Sequence, residues 1–324
     1  MKKILKTLIV PVLFLTGCAK SAAPAGNPEE KLLSIVATTF PLYDWTRTLL
    51  GEQTDNIDLT LLMNKGADLH NYQPTADDIM KISNCDVFIY VGGESDEWVE
   101  DALKSAVYPD LTVISLLDVL GENACMEEEV EGMQEEELHD HEEHEHEEEY
   151  DEHVWLSLRN AAGFCEAITD VLKEKDPDHA AEYDANLAAY KEELQALDAE
   201  YGEVTGSAAK HVLLFGDRFP FRYLTEDYGL EYYAAFAGCS AETEASFETV
   251  RFLAEKAGEL ELDHVMIIES GDGKIARTII ENSGRNADVL ALDSMQSVTG
   301  EQAAGKTYLG IMRANLEVLR TALN

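Results

Sequence analysis

The sequence predicts an α/β protein with two lobes, each built on a mostly parallel sheet flanked by helices, and one long rigid helix that joins them. Short apolar segments alternate with helical segments in both halves of the chain, which is typical of parallel sheets covered on both faces. The chain has 324 residues, too many for one ordinary core and suitable for two domains. Residues 178–205 are rich in Ala, Leu, Glu and Lys and contain no Gly or Pro before Gly202, so they predict the connecting helix.

The first residues indicate export and a lipid anchor. Lysines precede a short apolar segment at residues 8–15, so residues 1–17 predict a signal peptide rather than a membrane-spanning helix. Cys18 follows Leu-Thr-Gly, which resembles the lipobox of bacterial lipoproteins, in which this cysteine is lipidated. Residues 18–31, rich in Ala, Pro and Gly, predict a flexible tether. We therefore expect a protein anchored to the extracytoplasmic face of the cell membrane.

The two lobes are predicted over residues 32–177 and 206–324. In the first, a helix begins at Phe40, and Thr75 is a suitable N-cap for the next helix. The apolar segments that predict strands are residues 32–39, 57–62, 85–91 and 112–114 in the first lobe, and 212–215, 230–236, 264–268 and 289–292 in the second. The helices predicted in the second lobe are residues 221–227, 250–257, 274–282 and 308–322.

Residues 126–152, within the first lobe, have an unusual composition. Of these 27 residues 16 are Asp or Glu, and His139, His141, His144 and His146 lie among them. The segment has too few apolar side chains to form a core, so it predicts a disordered loop. Histidine-rich loops commonly bind metal loosely, and we expect this one to collect metal. A purely solvated acidic spacer is the alternative.

The net charge and the cysteines bear on the class of protein. A net charge of -40, from 24 basic and 64 acidic residues, repels phosphate backbones and argues against nucleic acid as a partner. Cys85 and Cys165 lie in apolar segments and are expected in the core. No pair of cysteines has the C-x-x-C spacing of a thiolate metal site or a redox motif. An oxidising compartment leaves open whether Cys125 and Cys239 form a disulfide.

Three candidate metal ligands lie in loops or directly after strands, where α/β proteins bind ligands. They are His70, His153 and Asp293. Two imidazoles and a carboxylate suit zinc, and also manganese or iron. Each residue alone fits a structural role better, since a lone histidine is more often hydrogen-bonded than metal-bound. A shared site requires the two histidine rings to approach within roughly 4 Å at their nitrogens.

Two motifs give the chain a wider resemblance. Residues 68–75, Asp-Leu-His-Asn-Tyr-Gln-Pro-Thr, and residues 151–156, Asp-Glu-His-Val-Trp-Leu, resemble the histidine motifs of the zinc- and manganese-binding solute-binding proteins of ABC importers. The resemblance implies two α/β lobes around a rigid helix, with an ion in the cleft bound by His70, His153 and Asp293. A His-rich acidic loop before the second motif resembles the zinc members in particular.

The resemblance also implies partners and a cargo. The partners are an ABC permease and its ATPase, and the cargo is zinc, with manganese as the alternative. We expect the protein to act as a monomer.

The sequence departs from this family at one ligand. Zinc members have a third histidine, and manganese members a glutamate, at the position that corresponds to Arg218. A guanidinium has no lone pair to donate to a metal. Asp217 is the first candidate replacement, and Glu242, Glu244 or a water are others. Alternatively, Arg218 only forms an ion pair with a cleft carboxylate such as Glu269.

Two other functions stay open. A zinc-dependent hydrolase would use similar ligands with an open coordination position, but the chain contains no H-E-x-x-H, G-x-S-x-G or P-loop motif. A surface adhesin or metal buffer would bind the ion without a transport partner. We therefore expect a binding protein rather than an enzyme.

Overall fold

The computed structural model describes residues 32–104, 109–134, 149–240 and 244–324. These residues contain two parallel sheets of four strands each. The first sheet contains β1 (Ser34–Ala37), β2 (Asp58–Leu61), β3 (Val87–Tyr90) and β4 (Thr112–Ser115), in the order β2-β1-β3-β4. The second contains β5 (Val212–Phe219), β6 (Glu231–Ala237), β7 (His264–Ile268) and β8 (Asp288–Leu292), in the order β6-β5-β7-β8. All the strand pairs of both sheets are parallel, as the sequence predicts.

Helices flank both sheets and connect their strands. In the described parts of the chain they are α1 (Phe40–Leu50), α2 (Ala76–Asn84), α3 (Trp98–Lys104), α4 (Leu116–Leu120), α5 (Leu158–Lys175), α6 (Ala180–Gly206), α7 (Arg222–Tyr228), α8 (Phe247–Glu259), α9 (Lys274–Ser283), α10 (Gly300–Ala303) and α11 (Tyr308–Ala322). None of the helices in these parts is both long enough and apolar enough to cross a bilayer.

The strands are apolar on both faces because helices cover both sides of each sheet. Along β1, Ile35 belongs to the large central core, whereas Val36 belongs to a separate core under α2 and α3. Successive side chains of a strand point to opposite faces, so this alternation follows from the strand geometry. Cys85 and Cys165 are fully buried, as predicted.

The predicted connecting helix is present as α6. Its buried residues Tyr190, Leu194, Leu197 and Tyr201 recur every three or four positions and form one apolar stripe. The stripe faces the large core, against α1, α5 and α11. The Tyr201 hydroxyl donates to the carbonyl of Met312 at 2.6 Å. The helix is therefore held to elements from both halves of the chain.

A second connection joins the two halves beside this helix. The backbone N–H of Tyr308 donates to Asp44 Oδ2 at 2.6 Å, and Arg47 donates to the carbonyls of Ala303 and Lys306 at 2.8 and 3.0 Å. The residues Leu33–Asn324 form one compact unit. These contacts restrict the movement of one half relative to the other on this side of the molecule.

The structure corrects the sequence prediction at two places. The helix α5 was not predicted, although Ser157 caps it by accepting from Asn160 N, and Phe164, Ile168 and Leu172 bury one face. The prediction of a disordered loop over residues 126–152 is wrong at both ends. Residues 126–134 and 149–152 are held by backbone pairing, with Glu127 N donating to Glu149 O at 2.8 Å and Gln134 N donating to Ala235 O at 3.0 Å.

Candidate metal centre

The two motif histidines lie in short turns that their own acidic neighbours organise. His70 is in the turn Leu69–Asn71, shortly after β2, and its backbone N–H donates to Asp68 Oδ1 at 3.2 Å. His153 comes before the turn Val154–Leu156, and its backbone N–H donates to Asp151 Oδ1 at 2.8 Å. In each motif, an aspartate two residues before the histidine thus fixes the backbone of the turn. His153 is fully buried and His70 is largely buried.

The two imidazole rings face each other through their Nε2 atoms, which lie 3.1 Å apart. On the far side of each ring a carboxylate approaches Nδ1. Asp151 Oδ1 lies 3.0 Å from Nδ1 of His153. Nδ1 of His70 lies 3.4 Å from Glu152 Oε2 and 2.8 Å from Ser95 Oγ. The Asp151 carboxylate favours the tautomer of His153 with its proton on Nδ1, and Nδ1 of His70 is engaged by Ser95. The Nε2 atoms of both rings are then directed into the same space.

The surroundings of the two rings keep the His70 imidazole neutral. Burial, and then the neighbouring His153, lower the pKa of His70 to about 3. Burial also acts to lower the pKa of His153, but the Asp151 carboxylate outweighs it and raises the pKa above its usual value. Burial raises the pKa of Glu152 to about 7. A neutral His70 with a free Nε2 is the form that binds a metal ion.

Cys239 is the third candidate ligand residue. It follows β6, and its Sγ, the Nε2 or Nδ1 of His70 and that of His153 all lie within 4.8 Å of one another. In the described residues this is the only group of three His, Cys, Asp or Glu side chains that could hold a metal in this way. Gly238 allows the approach, since a Cβ there would lie 3.0 Å from His153 Cε1 and 2.8 Å from the carbonyl of Phe219.

The side-chain amide of Gln296 completes the group. Its nitrogen lies 3.1 Å from Nε2 of His70 and 2.8 Å from Nε2 of His153, and its oxygen lies 3.0 Å from Oγ of Ser294. Gln296 is in the segment after β8 and is buried. Trp155 Nε1 donates to the carbonyl of Ser294 at 2.9 Å, which fixes this segment against the turn that follows His153. The four side chains therefore come from four loops and from both halves of the chain.

Comparison with known protein families identifies the family of the chain. Residues 35–322 match the family model ZnuA, described as the periplasmic component A of the zinc-uptake complex. The chain belongs to this zinc-uptake family.

Two characterised members show the extent of the similarity. The zinc-binding lipoprotein AdcA of Streptococcus pneumoniae is 32% identical over 309 residues, which are 95% of this chain but 58% of AdcA. The chain therefore spans about 58% of the length of this ZnuA-family relative. The high-affinity zinc uptake system protein ZnuA of Bacillus subtilis is 30% identical over 318 residues, which are 96% of this chain and 94% of the relative.

Two solved structures have the same fold as this chain. The Zn(II)-bound ZnuA-like domain of AdcA from Streptococcus pneumoniae superposes with a TM-score of 0.69 and 28% identity, covering 90% of this chain and 99% of that domain. The metal-dependent lipoprotein YcdH from Bacillus subtilis superposes with a TM-score of 0.71 and 26% identity, covering 90% of this chain and all of that one.

Asp293, which the ZnuA family resemblance assigns as a ligand, is engaged elsewhere. Its Oδ2 accepts from Lys306 Nζ at 3.2 Å, and its Oδ1 accepts from the backbone N–H of Met295 at 2.9 Å. Its carboxylate is not part of the group around the two histidines. In the structure the loop after β8 brings Gln296 to the imidazoles instead.

Asp217 is likewise directed away from the histidines. Its Oδ1 accepts from the backbone N–H of Arg218 at 2.9 Å, and its Oδ2 accepts from Ile268 N at 3.3 Å, at the end of β7. Burial raises the pKa of Asp217. Neither of its oxygens belongs to the histidine group.

Arg218 pairs with a cleft carboxylate, but with a different one from the example in the sequence prediction. Its guanidinium donates to Asp68 Oδ2 at 2.6 Å and to the carbonyl of Ser240 at 3.4 Å. Glu269 instead accepts from Ser294 and Ser297. Asp68 precedes His70 by two residues and Ser240 follows Cys239, so the guanidinium contacts two of the loops that carry candidate ligands.

The remaining predicted sites are outside this group or outside the described residues. Glu244 is exposed, and its carbonyl accepts from Gln134. Cys125 and Cys239 are both free thiols, so the structure contains no disulfide between them. The residues that lie outside the described parts of the chain are Cys18, His139, His141, His144, His146 and Glu242.

Cys239 and Gln296 are the candidate site residues that reasoning from sequence missed. Cys239 was considered only for C-x-x-C spacing and a disulfide, yet it lies two residues past the end of β6, close to a strand end as Asp293 is. That rule could have found it. Gln296 gave no comparable signal, because an amide is an uncommon metal ligand and its approach depends on how the loop after β8 turns.

Proposed function

We propose that this protein captures a zinc ion outside the cytoplasm and delivers it to an ABC permease, with His70 and His153 as ligands. The supporting observation is the pair of Nε2 atoms at 3.1 Å, each on a ring whose Nδ1 faces a carboxylate. This arrangement directs the Nε2 atoms of two imidazoles at one point in a buried space, which suits a cation.

Zinc fits the donor atoms better than manganese does. The group around the imidazoles contains nitrogen and sulfur atoms and no carboxylate oxygen. Imidazole and thiolate favour zinc, whereas manganese favours carboxylate, carbonyl and water oxygens. The relatives named above are zinc-binding proteins, which supports the same choice. We propose binding and release of the ion without turnover of a substrate.

The anchoring and delivery steps extend the proposal. We propose that Cys18 carries the lipid, which is consistent with the lipoprotein relative AdcA. Histidines 139, 141, 144 and 146, in the acidic segment, would collect ions for the cleft. The candidate ligands come from both halves of the chain, so a permease that displaces one loop would release the ion. Asp293 and Asp217 are not assigned as ligands in this proposal, because each already binds other groups.

Isothermal titration of the mature protein with Zn²⁺ and Mn²⁺ tests the proposal. We expect tight zinc binding at one site, with affinity reduced in His70→Ala and in His153→Ala by more than the roughly 10–100-fold typical of outer-shell changes. His179→Ala is the matched control, since His179 also pairs with an aspartate through Nδ1 but lies on the surface. Replacing the four histidines of the acidic segment with alanine should remove weak sites only. Full zinc affinity in His70→Ala would contradict the proposal.

Transport is tested in the organism. A strain that lacks this gene should grow poorly in chelated medium and recover with added zinc. The wild-type gene should restore growth, and the His70→Ala gene should not. Equal growth with and without the gene would argue for an adhesin or buffer role.

A further inference from the structure

Three atoms in the cleft already outline part of a metal coordination shell. The Nε2 atoms of His70 and His153 and the nearer amide atom of Gln296 are separated by 3.1, 3.1 and 2.8 Å. Tetrahedral zinc with bonds of about 2.0–2.1 Å separates its nitrogen and oxygen ligands by roughly 3.3 Å. A zinc ion over this triangle therefore needs only small outward shifts of the three side chains.

The orientation of the Gln296 amide depends on whether an ion is present. Without one, the amide nitrogen donates to the lone pairs of both imidazoles. The amide oxygen then faces the Ser294 hydroxyl at 3.0 Å, but that hydroxyl also lies 2.9 and 3.1 Å from the two oxygens of Glu269. A hydroxyl has one proton, and a carboxylate can only accept. Two acceptors thus compete for the same proton in the metal-free arrangement.

A half-turn of the amide removes this competition and supplies a ligand. The nitrogen of Gln296 would then donate to Ser294 Oγ, whose own proton goes to Glu269. The amide oxygen would point at the space between the imidazoles. Three lone pairs facing one another repel in the absence of a cation, and they bind one when it is present. The buried side chain therefore has one stable orientation for each state of the site.

Cys239 can occupy the fourth coordination position. Its Sγ is within 4.8 Å of the histidine ligand atoms, and tetrahedral zinc would place a sulfur at about 2.3 Å from the ion. Burial and then the nearby Glu127 carboxylate raise the pKa of the Cys239 thiol well above its usual value, so the proton would leave only when a zinc ion coordinates the sulfur. A thiolate is a strong ligand for zinc, and the backbone at Gly238 lets the loop approach His153 closely. The guanidinium of Arg218, which donates to the carbonyl of Ser240 beside Cys239, has no lone pair for a metal. Cys239 therefore takes the role of the third ligand in this site.

We propose that the ion is bound by His70, His153, the thiolate of Cys239 and the side-chain oxygen of Gln296. This inference rests on the proposed function and specifies the ligands of that same site. On binding, the thiol proton of Cys239 passes to solvent and the metal–sulfur bond forms.

Titration of the full-length mature protein with Co²⁺ tests the sulfur ligand. The wild-type complex should show a thiolate-to-cobalt charge-transfer band in the near ultraviolet. Cys239→Ser should lose the band and bind zinc at least about tenfold more weakly, whereas Cys125→Ser should keep both. Circular dichroism and thermal unfolding establish that each variant folds. Cobalt bound by the wild type without this band, and zinc affinity unchanged in Cys239→Ser, would overturn the sulfur ligand while leaving the proposed function intact.

The oxygen ligand has its own pair of variants. Gln296→Leu keeps the size of the side chain and removes the oxygen, so zinc affinity should fall. Gln296→Glu supplies an oxygen in either orientation and should restore it. Equal zinc affinity in the leucine variant and the wild type would overturn the role of Gln296. Failure of the proposed function has a different signature, because the wild type itself would then bind neither metal.

Discussion

At the scale of single residues, buried carboxylates fix the histidines of the cleft. Asp151 accepts from both the backbone N–H and Nδ1 of His153, and it is only 2% exposed. Its Oδ1 lies on the Nδ1 side of the ring, whereas Nε2 faces His70. Its contribution is the tautomer and the orientation of the imidazole.

Asp151→Ala should weaken zinc binding by roughly 10–100-fold without changing the ligands, since His153 loses the acceptor that holds its proton on Nδ1. Competition with a chromophoric chelator measures this affinity. Asp176→Ala is the matched control, because Asp176 pairs with the surface residue His179 in the same way. An unchanged affinity in Asp151→Ala would show that the ring is oriented by other contacts.

Asp96 is a buried carboxylate that the cleft does not use. Its Oδ2 accepts from the backbone of Val91 and Gly92 at 3.1 and 3.0 Å, and burial raises its pKa from 3.8 to about 6. Below pH 4 it is neutral in the folded and unfolded chains. Between pH 4 and 6 only the unfolded chain loses the proton, so the folded state becomes less stable as pH rises through this window.

Asp96→Asn should therefore stabilise the protein at pH 7 by up to about 3 kcal/mol, and the gain should vanish below pH 4. The asparagine oxygen can still accept from both backbone N–H groups. Urea unfolding of the metal-free protein at several pH values measures the effect. Glu97→Gln, an exposed neighbour, should change stability little at any pH. A gain that did not depend on pH would contradict the assigned cause.

Sequence reasoning at this scale succeeded where a motif spans a few neighbouring residues. His70 and His153 each lie in a short segment that also contains the aspartate that organises the turn, so the pattern could be recognised locally. Cys239 and Gln296 have no such neighbours. They reach the imidazoles because the ends of β6 and β8 open onto the same cleft, which depends on the arrangement of the second sheet.

At the scale of elements, the strands were the most predictable part of the chain. Each is a short apolar segment followed by a turn, and parallel strands covered on both faces leave little ambiguity. The helix α5 was not predicted, because the motif that precedes it, residues 151–156, was interpreted only as a loop that carries a ligand. The acidic segment was predicted too long, because composition cannot show that Asp151 and Glu152 are buried beside histidines. The lobe boundaries stay predictions.

Leu194→Ala tests the packing of α6. Leu194 is buried at 1% exposure in the stripe that faces the large core, so the change should cost about 3 kcal/mol of unfolding free energy. Gln195→Ala, on the exposed face of the same helix, should cost little. Urea denaturation measures both. At temperatures well below unfolding, Leu194→Ala should keep its zinc affinity, and a large loss would mean that α6 has a direct role in shaping the cleft.

At the scale of the whole molecule, hydrogen bonds link the two halves of the chain at two places. Those from Tyr201, Tyr308 and Arg47 lie on the side of α6. Beside the histidines, Arg218 donates to Asp68 and the backbone N–H of Gly300 donates to the carbonyl of Asn64. Zinc should therefore order the loops that carry its ligands and leave the linking helix unchanged.

Hydrogen exchange with and without zinc tests this distribution. Protection should increase at residues 68–71, 151–156, 238–240 and 294–297, and exchange in α6 should stay the same. Zinc at about 100 times its dissociation constant should also stabilise the fold by about 2.7 kcal/mol. The His70→Ala protein is the control and should show neither change. Increased or decreased exchange along α6 would mean that the halves move as rigid bodies.

The base of the acidic segment has a consequence for how this protein can vary. Backbone hydrogen bonds join Glu127 to Glu149 and Gln134 to Ala235. The positions of the residues on either side of 135–148 are therefore fixed. Residues added or removed between those points change a loop-closure entropy that grows only slowly with length. The number of histidines in this segment can therefore change without altering the distance between the two imidazoles that face each other in the cleft.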